Sequence, residues 1–268
     1  TRKVTVDDTI APAAPTLTGP ALTNSPSTLP LTGVAESGST VRIYDGGNLL
    51  GSVGVDENGS FSFTASVPAE GSYDITATAT DAANNVSADT TLAVMVDTTA
   101  PTAPTLIGPS LTNNPGPTLT GTAEAGSTVL IDYGVNEPGS VGVDENGSFS
   151  FQVPSSLPDG SHTITATATD AANNVSADTT LTVEVDTTLP AAPTLTGPSL
   201  TKSTAVPLTG TAEPGSTVRI YDGGNLLDST GAESGSYSIT VPNLSEGSHD
   251  ITATVTDQAG NESGYSPT

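Results

Sequence analysis

Apolar residues recur at every second position over short runs of the chain. Val41 and Ile43 alternate with polar neighbours, as do Phe61 and Phe63, then Ile75, Ala77 and Ala79, then Leu92, Val94 and Val96. A period of two puts one face of each run into a core and the other into water, so each run predicts a β-strand. Turn-forming sequences separate the runs: DGGN from Asp45, ENGS from Glu57 and AEGS from Ala69. No run follows the 3.6-residue period of an amphipathic helix. About seven short strands in each ninety residues predict an all-β chain of antiparallel, immunoglobulin-like sandwiches.

The pattern repeats along the chain. DTIAPAAPTLTGP begins at Asp8, DTTAPTAPTLIGP at Asp97 and DTTLPAAPTLTGP at Asp186, so both spacings are 89 residues. AESGST, AEAGST and AEPGST keep step and bring Glu36, Glu124 and Glu213 into register. TDAANN, TDAANN and TDQAGN do the same for Asp81, Asp170 and Asp257. Residues 75–92 and 164–181 are identical, letter for letter. Three tandem sandwich domains follow, at residues 1–96, 97–185 and 186–268. Strands of about ten residues make each domain about 35 Å long, and three end to end reach about 100 Å.

Composition narrows the function. Only 34% of the 268 residues are hydrophobic and 4% aromatic, which suits several thin cores better than one large one. With no Cys, disulfides cannot stabilise these small domains. A formal charge of -24, from 29 acids against five Lys and Arg, disfavours nucleic acid and anionic membrane surfaces and favours cations. No apolar run is long enough to span a bilayer, and Thr1 opens no signal-peptide pattern. The chain reads as a piece of a longer or processed product.

Taken together, D-T-x-x-P-x-x-P, A-E-x-G-S-T-V, N-G-S-F-S-F and T-A-T-D-x-A-x-N resemble the bacterial immunoglobulin-like repeats of very large secreted adhesins. The resemblance covers essentially the whole chain. It implies a calcium-stiffened stalk of a biofilm or host-cell adhesin, located outside the cell at the bacterial surface.

The sandwich topology converts the register of the acids into a site. The start of the first strand and the B–C, D–E and F–G loops share one pole of such a sandwich. Asp8, Glu36 and Asp81 are thereby expected to converge, and so are Asp97, Glu124 and Asp170, and Asp186, Glu213 and Asp257. Three converging carboxylates repel unless a cation lies between them. Hard oxygen ligands suit Ca²⁺, with Asn84, Asn173 and Asn261 as secondary candidates for its shell. Turn and loop preference alone also accounts for Asp, Asn and Glu at these places. The first acid of each trio lies in a Pro-rich linker, so metal and proline together would stiffen the joint.

Other signals read as structure. Asp56 and Asp144 open hairpin turns, and DENG lacks the spacing of an EF-hand. His162 and His249 share a repeat position with Tyr73, which predicts a hydrogen-bonding residue at the start of a strand. Thr76, Thr78 and Thr80 form the solvent face of a strand. NGS and NVS match glycosylation sequons, but Asn-Gly is also a hairpin signature. Tyr44 and Tyr221 are the best candidates for stacking on sugars, with packing at the core edge the stronger reading. No nucleophile elbow, phosphate loop or His-rich metal motif occurs, so no enzyme is expected.

The expected role is mechanical, with neighbouring repeats of the same protein as immediate partners. The alternative is a carbohydrate-binding or spacer module of a secreted glycosidase. The chain ends add one feature. RKVTVDD matches the last strand of a repeat, with Val4 and Val6 standing for Val94 and Val96, whereas the third repeat has no LAVMVD or LTVEVD of its own. A repeat array cut out of phase explains this. Head-to-tail association, with residues 2–6 completing the third domain of another copy, explains it too.

Overall fold

The structure is a computed structural model that describes residues 9–134, 138–154 and 157–267. In the first repeat the strands are β1 (Leu22–Thr23), β2 (Leu29–Val34), β3 (Thr40–Asp45), β4 (Asn48–Gly54), β5 (Ser60–Ala65), β6 (Gly71–Thr80) and β7 (Thr90–Val96). The second has β8 (Leu111–Thr112), β9 (Thr118–Thr122), β10 (Thr128–Asp132), β11 (Gly139–Gly142), β12 (Ser148–Gln152), β13 (Gly160–Thr169) and β14 (Thr179–Val185). The third has β15 (Val206–Thr211), β16 (Ser216–Asp222), β17 (Asn225–Ala232), β18 (Ser236–Val241) and β19 (Ile251–Thr256). Helix is absent among the described residues, as the period-two pattern requires.

Each repeat sets a large sheet against a two-stranded one. The first orders its large sheet β1-β7-β6-β3-β4 and faces it with β2-β5, and the second repeats this as β11-β10-β13-β14-β8 with β12-β9. β1 and β8 run parallel to β7 and β14, and the other ladders are antiparallel. The fourth strand stays on the larger sheet, paired to the third, instead of crossing to the small one. A two-residue turn explains this in repeats one and three. Gly46 and Gly47 (φ 53° and 91°), like Gly223 and Gly224 (φ 54° and 88°), hold both central residues at positive φ, as the tightest hairpin demands.

The alternating residues point inward as the pattern predicts. Val41, Ile43, Ile75, Ala77, Ala79 and Val96 are fully buried, and Phe61 and Val94 nearly so. Phe63 and Leu92 pack at the edge of the same cluster. The cores of repeats two and three are built separately in the same way, around Ile131 and Ile164 and around Val218 and Ile220. The chain before β2 pairs along it through Thr18 and Thr32, so close that a Cβ on Gly33 would collide with the Thr16 carbonyl. The expected hydrogen-bonding role at the Tyr/His position holds: Tyr73 Oη donates to Ala69 O (2.7 Å), and His162 and His249 Nε2 meet the carbonyls of Pro158 and Ser245 (2.7 and 3.0 Å). Each closes a turn onto the carbonyl four residues earlier, as in the tyrosine corner of immunoglobulin folds.

The third repeat differs. Its large sheet has only β17-β16-β19, and among the described residues no strand takes the place that β7 and β14 fill above. The chain after β19 begins that path through Ser263 N to Val255 O (2.9 Å) and Ser266 N to Ala253 O (2.8 Å).

Candidate functional site

The joints between repeats collect side-chain hydrogen bonds from the domains on both sides. Residues 97–99 leave β7 toward the second repeat, and 186–188 leave β14 toward the third. Asp97 N donates to Thr23 O and Asp186 N to Thr112 O (2.9 and 3.0 Å), so each linker starts anchored to the short parallel strand behind it. The carboxylates of Asp97 and Asp186 then accept from Thr99 N and Thr188 N (both 3.0 Å), fixing a local turn.

The loop before the sixth strand of the preceding repeat holds the linker from behind. Thr98 and Thr99 hydroxyls donate to Glu70 Oε2 (3.2 and 2.6 Å). At the next joint Thr187 donates through N and Oγ1 to Asp159 Oδ1 (3.0 and 2.7 Å), and Thr188 Oγ1 donates to Asp159 Oδ2 (3.0 Å). The Thr99 hydroxyl, then that of Thr98, holds the Glu70 carboxyl below its ordinary pKa, and Thr187 does the same for Asp159.

The F–G loop of the following repeat holds the linker from the front. Asn174 Nδ2 donates both to the Asp97 carbonyl (2.9 Å) and to Asp170 Oδ2 (2.8 Å). Asn261 Nδ2 bridges the Asp186 carbonyl (2.7 Å) and Asp257 Oδ2 (2.8 Å) in the same way. The loop that aims this amide is braced by its Asp: Asp170 Oδ1 accepts Asn174 N, and Asp257 Oδ1 accepts Asn261 N, both at 2.8 Å. In the first repeat Asn85 bonds both oxygens of Asp81, through N and through Nδ2, each at 2.8 Å. Asn85 chiefly holds the Asp81 carboxyl below the ordinary value. For Asp170 and Asp257 desolvation pushes upward, and the hydrogen bonds from Asn174 and Asn261 and their loops outweigh it.

Neighbouring repeats also touch directly. Asn24 Nδ2 in the first donates to Asn173 O in the second (3.0 Å). At the next joint the counterparts are Asn113 and Gly260, and a Cβ on Gly260 would lie 3.4 Å from Asn113 Nδ2.

The acids expected to form the site divide accordingly. Asp97 and Asp170 meet at the first joint and Asp186 and Asp257 at the second, each pair through one Asn amide. Glu36, Glu124 and Glu213 sit in exposed turns whose backbone carbonyls bond Ser39, Ser127 and Ser216. Asp8 lies outside the described residues. Among those residues, no group of three or more His, Asp or Glu side chains gathers closely enough to hold a metal ion. The oxygens that do converge, around the Asn amide, are the linker carbonyl and the F–G carboxylate, both hard ligands of the kind Ca²⁺ takes.

Among the Asn residues, Asn84 and Asn173 are not the equivalents of Asn261. They occupy left-handed backbone (φ 69° and 70°), as does their counterpart Gly260 (φ 99°). The residues aligned with Asn261 are Asn85 and Asn174. TDQAGN carries that signal, because Gly at the fifth position and Asn at the sixth separate the turn residue from the clamp. Glu70 and Asp159, the rear hooks, had a signal as well: AEGS and PDGS each place an acid before Gly-Ser, 27 residues ahead of the linker's Asp.

The family comparisons agree with this architecture. A family model described as Bacterial Ig domain matches residues 11–95 and 190–267, and one described as Bacterial Ig-like domain matches residues 108–187. Similar solved structures include one titled for host cell surface retention of a 1.5-MDa bacterial ice-binding adhesin (23% identity, 95% of this chain and 97% of that one, TM-score 0.38). Another is a tetra-tandem repeat in the extending region of a large adhesion protein (24% identity, 96% and 74%, TM-score 0.31). A third is a set of fibronectin(III)-like modules of Clostridium thermocellum CbhA (17% identity, 64% and 94%, TM-score 0.42). No curated protein matches. With its matched segments spanning most of its length, this chain belongs to the bacterial immunoglobulin-like domain family.

Proposed function

We propose that the chain is a structural stalk segment of a bacterial surface adhesin or extracellular fibre, which holds a binding region away from the cell. One observation carries this reading: each linker is bonded on both sides, to Glu70 or Asp159 behind and to Asn174 or Asn261 ahead. A passive tether needs no such joint, whereas a spacer that transmits reach or force does. Membership of the bacterial immunoglobulin-like domain family supports the same mechanical role.

Ca²⁺ is the finer part of the proposal. The ion would be held at each joint by the carboxylates of Asp97 and Asp170, or of Asp186 and Asp257, with Glu124 or Glu213 joining. The supporting feature is the collection of oxygen acceptors around a single NH₂ group. Extracellular modules bind Ca²⁺ at about 10⁻⁴–10⁻³ M, and saturation at a hundred times Kd would add about 2.7 kcal/mol per site.

Because the chain has no Cys, spin labels at Ser52→Cys and Ser140→Cys, both on exposed strand positions, report only on the first joint. A narrow distance distribution that Asn174→Ala broadens is the expected result. A broad distribution in the parent chain would refute the stiff joint. Melting with Ca²⁺ against EGTA tests the ion separately, and identical curves would remove it.

The glycosidase-module alternative relied on exposed aromatic rings. Tyr221 instead packs edge to face on Tyr265 (5.7 Å, 86°), and Tyr44 is half-buried.

A further inference from the structure

Tension along the chain enters the first repeat through residues 11–23 and leaves through β7. Three bonds tie these two segments together, in the same order along both. Thr90 Oγ1 donates to Pro15 O (2.5 Å), Met95 N to Ala21 O (2.8 Å) and Asp97 N to Thr23 O (2.9 Å). The second repeat has the same set: Thr179 Oγ1 to Pro104 O (2.6 Å), Glu184 N to Ser110 O and Asp186 N to Thr112 O (both 3.0 Å). Where the segments form a ladder it is parallel, Leu22 with Met95 and Thr23 with Val96, then Leu111 with Glu184 and Thr112 with Val185.

The entering segment is also fixed to the small sheet. Thr16 N and Thr18 N donate to Val34 O and Thr32 O of β2 (2.9 and 2.8 Å). Thr105 N and Ile107 N donate to Thr122 O and Thr120 O of β9 (2.8 and 2.7 Å). The segment then crosses from the small sheet to the large one at Gly19 and at Gly108. A Cβ on Gly19 would lie 2.9 Å from Leu31 and 3.1 Å from Leu92, and one on Gly108 2.8 Å from Leu119 and 3.0 Å from Leu181. The crossing is thus wedged between a side chain of each sheet.

We propose that the entering segment and the last strand of these repeats form a tension lock, which resists unfolding when the chain is pulled along its length. This deepens the stalk reading, in which tension runs through the repeats in series. Under such a pull residues 11–23 are drawn back toward the preceding linker while β7 is drawn forward toward the next. Parallel strands pulled in opposite directions slide along each other, so their bonds stretch together instead of opening one at a time. The bonds to β2 shear in the same motion, so neither sheet is released first. The hairpin of β3 and β4 carries tension only after the lock has yielded.

Force spectroscopy on the full chain tests the lock. Because the chain has no Cys, introduced pairs can carry the pulling handles, and Ala11, Ser27 and Thr102 are all exposed. Ala11→Cys with Thr102→Cys pulls the first repeat along the chain. Ser27→Cys with Thr102→Cys pulls the parallel pair from the end where Thr23 meets Asp97, and so peels it open bond by bond. At one pulling speed the rupture force along the chain should exceed the peeling force at least about twofold, since forced unfolding reads the barrier along the direction pulled. Thr90→Val removes the hydroxyl bond to Pro15 and keeps the branched shape of the side chain. It should lower the force along the chain and leave the peeling force unchanged, because peeling starts at the other end. Equal forces in the two directions would overturn the proposal, and so would a Thr90→Val chain as strong along its length as the parent. A lax joint in the spin-label experiment would remove the stalk reading and leave this directional difference standing, so the two fail separately.

Discussion

Residues 160–169 read GSHTITATAT, and residues 247–256 of the third repeat read GSHDITATVT. The two stretches differ at two positions, yet β13 is a strand over all ten residues whereas β19 begins only at Ile251. Local propensity cannot explain this, since eight of ten residues are shared. The partner can. Residues 165–169 of β13 pair with β10, whereas its first five residues, 160–164, pair only with β14. Among the described residues nothing pairs with residues 247–250 as β14 pairs with 160–163, and they are not in a strand. Strand formation in this fold is thus a property of the pair rather than of the sequence.

The largest contrast to test is in the cores. Ile164→Ala removes a fully buried side chain beneath β14 and should destabilise the second repeat by about 2–5 kcal/mol. Ile251→Ala removes a half-buried one, and about 1 kcal/mol or less is expected for the third. Denaturant melts of the two variants, followed by probes in each repeat, give the comparison. Equal losses would mean that Ile251 is as well covered as Ile164.

Next come the joints. Asn174→Ala leaves the Asp97 carbonyl and Asp170 Oδ2 without their shared donor, and about 1–2 kcal/mol should be lost from coupling between repeats one and two. Asn261→Ala should act alike at the second joint. Asn173→Gly serves as the control, because Gly260 already occupies that left-handed position, and its effect on thermal melting should be near zero.

Acid should loosen the joints. Glu70, Asp81, Asp159, Asp170 and Asp257 all have folded pKa values below their ordinary ones. Their contribution is therefore present above the unfolded value and is lost as the pH falls through the folded one, below about pH 4. The spin-label distance distribution at the first joint should broaden over that window and recover on neutralisation.

The smallest effect concerns His249. The Ser245 carbonyl, then the Asp222 carboxylate 2.7 Å from Nδ1, raises its pKa. A raised value stabilises below the unfolded pKa of about 6.5, and the benefit is lost as the pH rises through the folded value. Asp222→Asn should flatten this slight dependence in the third repeat, as read by NMR titration of the ring.

The sandwich was legible because period-two alternation and the 89-residue repeat are properties of the chain itself. Val41, Ile43, Ile75 and Val96 lie where alternation puts them. That a linker and the next F–G loop share one pole was legible too, although Asn174 ties the Asp97 backbone carbonyl, and not the expected carboxylate, to Asp170. The Asn that joins them was misaligned by one residue in two repeats, because two adjacent Asn residues in TDAANN look alike until one is seen to need positive φ. Glu70 and Asp159 escaped notice for another reason: they belong to the opposite pole of the preceding domain, and only a three-dimensional joint reveals that two poles share one linker. The verbatim repeat of residues 75–92 has a physical basis in this light. It contains the second half of β6, the Asp81 brace, the left-handed Asn84, the Asn85 amide, and Ser87, whose hydroxyl accepts from Ala79 N (2.9 Å).

Amide hydrogen exchange tests the pairing claim most directly. In solution, residues 160–163 should be protected while residues 247–250 exchange at least about a hundredfold faster, although residues 164–169 and 251–256 resemble each other. Equal protection of the two four-residue stretches in the isolated chain would contradict the account, because it would mean that the start of this strand needs no neighbour to hold it.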